Sequence, residues 1–193
     1  MPWIPAFEIG IYNAWIFMII YPLQWLAVVI LPRHIAERTS HPADFKQDRR
    51  GTVTGRVTEI FWIGATLYSI FLPLDIGKTW FYVGLGAFVI GLAVLVSATL
   101  SVIRTPTGEP FTGGIYRFSR HPMYLSMILV YMGVSIAAAS LLFFLITIVT
   151  YFLQRCQMLQ EEGYCREKFG PAYSDYMDKT PRWIGIPNRI NQK

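Results

Sequence analysis

Met123–Leu153 reads MYLSMILVYMGVSIAAASLLFFLITIVTYFL, an apolar run without a single Asp, Glu, Lys or Arg. As one α-helix its 31 residues would reach about 46 Å, against a hydrocarbon core of about 30 Å. Two shorter helices that turn near Ala137-Ala138-Ala139-Ser140 fit better, and small residues there permit close helix approach. Charge bias gives an independent test, because Lys and Arg concentrate in cytoplasmic loops. With a hairpin, Pro32–Arg56, Arg104–Arg120 and Gln154–Lys193 share one side and carry 16 of the 17 basic residues. Only Lys78 then lies opposite. A single span would send the seven tail charges outside, so the hairpin is the reading adopted.

Three further apolar stretches lie upstream, at Ile11–Leu31, Val57–Leu74 and Trp80–Ile103. Only 15% of the 193 residues are charged, against about 25% in soluble domains. The expected fold class is therefore an all-α polytopic membrane protein with five transmembrane helices in one membrane domain, 1–193. The spans fall at about 11–31, 57–74, 80–103, 122–137 and 140–158. The N-terminus is placed outside and the C-terminal region in the cytoplasm, in the cell membrane of a prokaryote or the endoplasmic reticulum of a eukaryote. Net charge of +5 suits an anionic inner leaflet, and no soluble basic face is left for nucleic acid. The first ten residues lack Lys and Arg, so no secretory signal is expected. Cys156 and Cys165 match no zinc spacing; no metal site and no obligate protein partner are expected.

Local signals refine this outline. Pro22 should kink or end the first span. Arg33–Arg56, with His34, His41 and Pro42, reads as an interfacial loop. Gly84, Gly86 and Gly91 suit close helix packing, or alternatively room for a ligand. Prolines and glycines from Arg104 to Gly114 argue for ordered turns. The tail from Gln154 reads as helix to about Glu167, and Pro171 as the start of a short helix with Tyr173 and Tyr176 on one face.

Polar chemistry gathers at the inner ends of the hairpin. Tyr116, Arg117, Arg120, His121 and Tyr124 precede or open its first helix, and Arg155, Glu161 and Glu162 extend its second. A hairpin returns its exit to the side of entry, so Glu161 and Glu162 should meet Arg120 and His121. Carboxylates suit a cationic or polyhydroxylated ligand, aromatic faces a cation or a stacked purine, and a Gly-rich turn an anion. Each feature also has a plainer use: Arg120 and Glu162 as an ion pair, His121 at a helix end, the tyrosines as interfacial aromatics. No dinucleotide, P-loop, G-x-S-x-G or H-E-x-x-H motif is present.

Gly114-Ile115-Tyr116, Arg120-His121-Pro122-Met123-Tyr124, Glu161-Glu162, and Phe169-Gly170 with Tyr173 and Tyr176 form a spaced signature. It resembles that of the isoprenylcysteine carboxyl methyltransferase family of integral membrane enzymes, which is grouped with the phospholipid N-methyltransferases and, more distantly, the membrane sterol reductases. The similarity covers about 99–187. It implies S-adenosylmethionine as cofactor, released as S-adenosylhomocysteine. By position, Tyr116, His121, Pro122, Met123, Tyr124 and Glu161 would line its pocket, and Glu109-Pro110-Phe111-Thr112 would close over it. Arg155 or Arg120, with Glu162, would serve the acceptor; where the prenylcysteine enzymes carry an arginine four residues before the pocket glutamate, this chain has Gln157. The implied activity is methyl transfer to a lipophilic or lipid-modified acceptor entering from the bilayer, foremost a prenylcysteine carboxyl group. A phospholipid amine is the alternative acceptor; an NADPH-dependent reductase and a lipid-binding protein are more distant readings.

Overall fold

The computed structural model describes residues 8–30, 49–106 and 108–186. All regular structure among them is helical, apart from one bridge between Asn13 and Pro73. The helices are α1 (Trp15–Met18), α2 (Ile20–Ile30), α3 (Arg49–Ser69), α4 (Thr79–Arg104), α5 (Pro122–Ala137), α6 (Leu141–Phe169) and α7 (Pro171–Lys179). A 3₁₀ turn at Gly114–Arg117 precedes α5.

Two of these helices, α4 and α6, are long and apolar enough to cross a membrane. The polarity of α6 is inverted relative to a soluble helix. Leu145, Ile148, Val149 and Phe152 face outward, whereas Thr147, Thr150, Gln154 and Glu162 are buried. That is the distribution expected where the surroundings are lipid and polar groups must find partners inside.

The chain reverses between α5 and α6 at the small-residue segment. Ala139 takes a positive φ of 46°, Ser140 caps α6 by accepting from Phe143 N at 3.2 Å, and its hydroxyl also meets Tyr68 OH of α3 at 3.2 Å. The left-handed residue costs about 1 kcal/mol, comparable to what one such cap returns.

Close packing of α4 against α5 rests on two of the three glycines. A Cβ on Gly84 would collide with the backbone of Gly133 and Ala137, and one on Gly91 would press on Val130 at 3.0 Å. Gly86 has nothing within 4 Å and plays no such part. Aromatic rings fill the centre: Phe17 of α1 stacks on Phe88 of α4 with centroids 4.5 Å apart, and Tyr21 of α2 meets Tyr131 of α5 edge-on at 6.1 Å.

The break between α1 and α2 at Ile19 lies where Pro22, four residues after Met18, cannot donate to the Met18 carbonyl, as expected of a proline in an apolar helix. Two boundaries differ from expectation. The second apolar stretch starts earlier and stops sooner. It becomes helical from Arg49, because its polar first turns lie along the polar end of α6, with Gln157 donating to Thr58 at 3.4 Å. It ends at Ser69, after which Ala14 N donates to Leu72 O at 2.8 Å and Leu74 N to Tyr12 O at 3.1 Å. The rest of the expected interfacial loop, including His34, His41 and Pro42, lies outside the described residues, as do Thr107 and residue 187.

Candidate functional site

The two carboxylates of Glu161-Glu162 stand on different sides of α6 because consecutive helical residues are turned by about 100°. Glu162 points inward and its side chain is 5% exposed, while that of Glu161 is 26% exposed. Burial of a lone carboxylate would be very costly, and Glu162 is surrounded by donors. His121 Nε2 lies 3.1 Å from Oε1, Arg120 Nη1 3.5 Å from the same atom, and Arg182 grips both oxygens through Nε at 3.0 Å and Nη2 at 2.7 Å. Burial favours the neutral acid, but the hydrogen bonds from His121 and Arg182 and the charges of Arg120 and His121 outweigh it. The Glu162 carboxyl is held down at about 2.

His121 joins the two glutamates, with Nδ1 3.6 Å from Glu161 Oε2. Burial opposes its charged form, yet the hydrogen bonds and charges of Glu161 and Glu162 raise its pKa above the ordinary histidine value. Tyr124, one turn into α5, donates its hydroxyl to Glu161 Oε1, and its ring meets His121 at 5.7 Å. Pro122 occupies the first position of α5, which fixes the entry angle just after His121.

The loop before α5 is moulded on α4. Gly114 has φ +60°, and a Cβ there would strike the Ser101 side chain, so this position takes glycine for both conformation and space. The turn thereby buries Tyr116 against Ala98 and Val102, with Met123 alongside. Burial first, then the charges of Glu161 and Tyr176, pushes the Tyr116 phenol above its usual value. Phe111 lies 5.9 Å from Tyr116, centroid to centroid, which brings the Glu109–Thr112 turn to the edge of the cluster; Glu109 itself is exposed.

The remaining wall comes from the tail. Gly170, with φ +59°, turns the chain from α6 into α7, whose Tyr176 donates to the Tyr116 carbonyl at 2.7 Å. Beyond α7 a strap of residues 180–186 runs back along the loop. Arg120 N donates to Pro181 O at 3.1 Å, Gly185 N to Phe118 O at 3.0 Å, and Trp183 stacks on Tyr151 at 5.0 Å.

Of the residues singled out in the sequence, the structure gathers Arg120, His121, Tyr124, Glu161 and Glu162, with Tyr116, Met123 and Phe111 adjoining. Arg155 stands apart: it is exposed, two helical turns before Glu162, and shares no hydrogen bond or ion pair with the cluster among the described residues. Gln157 faces α3 instead. Arg182 has no periodic signal in the sequence, because it lies past the last described helix. Its only local signal was a basic residue after Thr180-Pro181, at the end of a polar helix.

Residues 79–172 match the phospholipid methyltransferase family model. No curated protein and no solved structure matches the chain. The phospholipid methyltransferase match is consistent with the integral membrane methyltransferase superfamily. It takes in α4, the loop, α5 and α6, and hence the whole His121–Glu161–Glu162 group, while Arg182 falls beyond it.

Proposed function

We propose that this protein is an S-adenosylmethionine-dependent methyltransferase whose donor pocket lies at the inner ends of α5 and α6. The observation that carries the reading is the division of labour between the glutamates. Glu162 is consumed by Arg182, Arg120 and His121, whereas the more exposed Glu161, oriented by Tyr124 and His121, presents negative charge to the pocket. One observation tests whether the donor fits. Arg120 Nε is buried and has no hydrogen-bond partner among the described residues, as a site for an anionic carboxyl end requires. Glu161 would face the cationic part of the donor, Tyr116 and Phe111 its purine, and Met123 and Pro122 the floor. When bound, the donor supplies an electrophilic methyl group on a positive sulfur.

The chain's own residues then bind, orient and exclude water. Neither His121, with its raised pKa, nor Glu162, held at about 2, suits proton removal near neutrality. An acceptor already ionised at that pH needs no base, so we favour a carboxylate on a lipophilic molecule such as a prenylcysteine, drawn laterally from the bilayer. The basic bias of the segments around the cluster supports a cytoplasmic site, with the N-terminus outside. A lipid amine is the second reading, favoured by the description of the matched family. It requires loss of a proton, for which Glu161 is the nearest candidate.

The assignment is tested with Glu161→Gln in detergent, by titrating S-adenosylmethionine calorimetrically. At least a tenfold loss of affinity is expected; unchanged affinity overturns it. Labelled methyl transfer to prenylcysteine analogues and to aminophospholipids separates the acceptors. A rate flat from pH 6 to 8 marks the carboxylate, and a steep fall below neutrality marks the amine.

A further inference from the structure

Midway through the hairpin the interior is polar for no reason that the cluster at its inner end explains. The buried stripe of α6 runs Phe143, Thr147, Thr150, Gln154, Met158 and Glu162. It lies against α5, with Phe143 5.5 Å from Tyr131 by ring centroids and Gln154 Nε2 2.8 Å from Met127 Sδ. Tyr21 of α2 closes the group through its edge-on contact with Tyr131. Tyr21 OH, Tyr131 OH, Thr150 Oγ1 and Gln154 Oε1 are all buried, and none has a hydrogen-bond partner among the described residues.

Thr150 makes the anomaly plain. Hydroxyls in these helices turn back onto their own backbone: Thr66, Thr99 and Thr147 each donate to the carbonyl four residues earlier, and Ser126 and Ser135 to the carbonyl three residues earlier. That is the ordinary resolution for such a residue in an apolar helix. Thr150 forgoes it. Four unpaired polar atoms in one seam, each costly to leave so, point to a guest that pairs with them.

The guest is neutral. Between Pro122 and Gln154, and along α2, there is no acidic or basic side chain to balance a charge. The set combines three hydroxyls, which donate or accept, with one amide oxygen, which accepts. We propose that the seam formed by Tyr21, Tyr131, Thr150 and Gln154 is a binding site for hydroxyl groups in the membrane interior, brought by a long-chain alcohol or by water. The site is distinct from the donor pocket and does not rest on the methyl-transfer reading.

The test uses the whole protein in lipid nanodiscs, with diazirine-bearing hexadecanol and diazirine-bearing hexadecane as paired probes. Labelled peptides are mapped by mass spectrometry. Thermal unfolding of Tyr131→Phe and Thr150→Val is measured beside them. Saturable labelling of α5 and α6 by the alcohol, absent with the hydrocarbon and cut about tenfold in the double variant, assigns the site to a lipophilic alcohol. Without alcohol-specific labelling, a lowered melting temperature in both variants assigns the hydroxyl to water, since removing an unpaired hydroxyl alone would not destabilise. If alcohol-specific labelling is absent and the variants melt at or above the parent temperature, the seam holds no polar guest and the proposal is wrong.

Discussion

Glu162 shows how an acid is kept ionised in a place that should neutralise it. Arg182 contributes two charge-assisted hydrogen bonds, and its removal leaves Arg120 at 3.5 Å and His121 at 3.1 Å. Since two partners remain, Arg182→Ala is expected to cost about 2 kcal/mol, below the full penalty of an orphaned buried charge, by thermal unfolding in detergent. Linkage sets the pH dependence. Glu162 has a depressed folded pKa of about 2, so its contribution is complete above the unfolded value near 4.5 and is lost as pH falls towards 2. His121 has a raised folded pKa, so its contribution is complete below 6.5 and is lost as pH rises through the folded value. Melting temperature should therefore be greatest between these limits. Glu162→Gln should flatten the acid limb, and His121→Gln the alkaline one. The encounter of Arg120 and His121 with Glu162 was legible in the sequence because a hairpin returns to its side of entry. The part taken by Arg182 was not, because a residue in an irregular strap obeys no period, and its long side chain finds its target only once the chain is folded.

At the scale of elements, α4 and α5 meet through missing side chains. Gly84→Ala should force the two backbones apart and cost roughly 1–3 kcal/mol as overpacking. Gly86→Ala, two residues on and with open space about it, should be neutral or stabilising by up to about 1 kcal/mol through helix propensity. Paired unfolding curves in one detergent check both. The sequence shows three glycines on this helix but not which two face a neighbour, because the facing depends on the rotation of α4 against α5. Apolar periodicity likewise places a helix near residues 57–74, yet not its ends. Those are set by tertiary partners: Gln157 beside Thr58 at one end, and the Ala14–Leu72 hydrogen bond at the other.

For the whole molecule, sidedness is the property that the proposed function most needs. In a background with Cys156 and Cys165 replaced by serine, Lys78→Cys should react with an impermeant maleimide on intact cells. Lys179→Cys, on α7 beside the cluster, should react only after permeabilisation. Equal labelling of both would overturn the orientation, while leaving the cluster's geometry untouched.

The strap of residues 180–186 also has a consequence in time. A chain is made from its N-terminus, so α5 and α6 are synthesised before Arg182. Until that residue leaves the ribosome, Glu162 lacks the partner that grips both its oxygens, and the loop at Phe118–Arg120 lacks the backbone that pairs with it. Synthesis of the hairpin and completion of its acidic centre are therefore successive events. The last segment translated among the described residues is the one that completes the cluster, so a nascent chain stalled before it carries α5 and α6 but not the finished cluster.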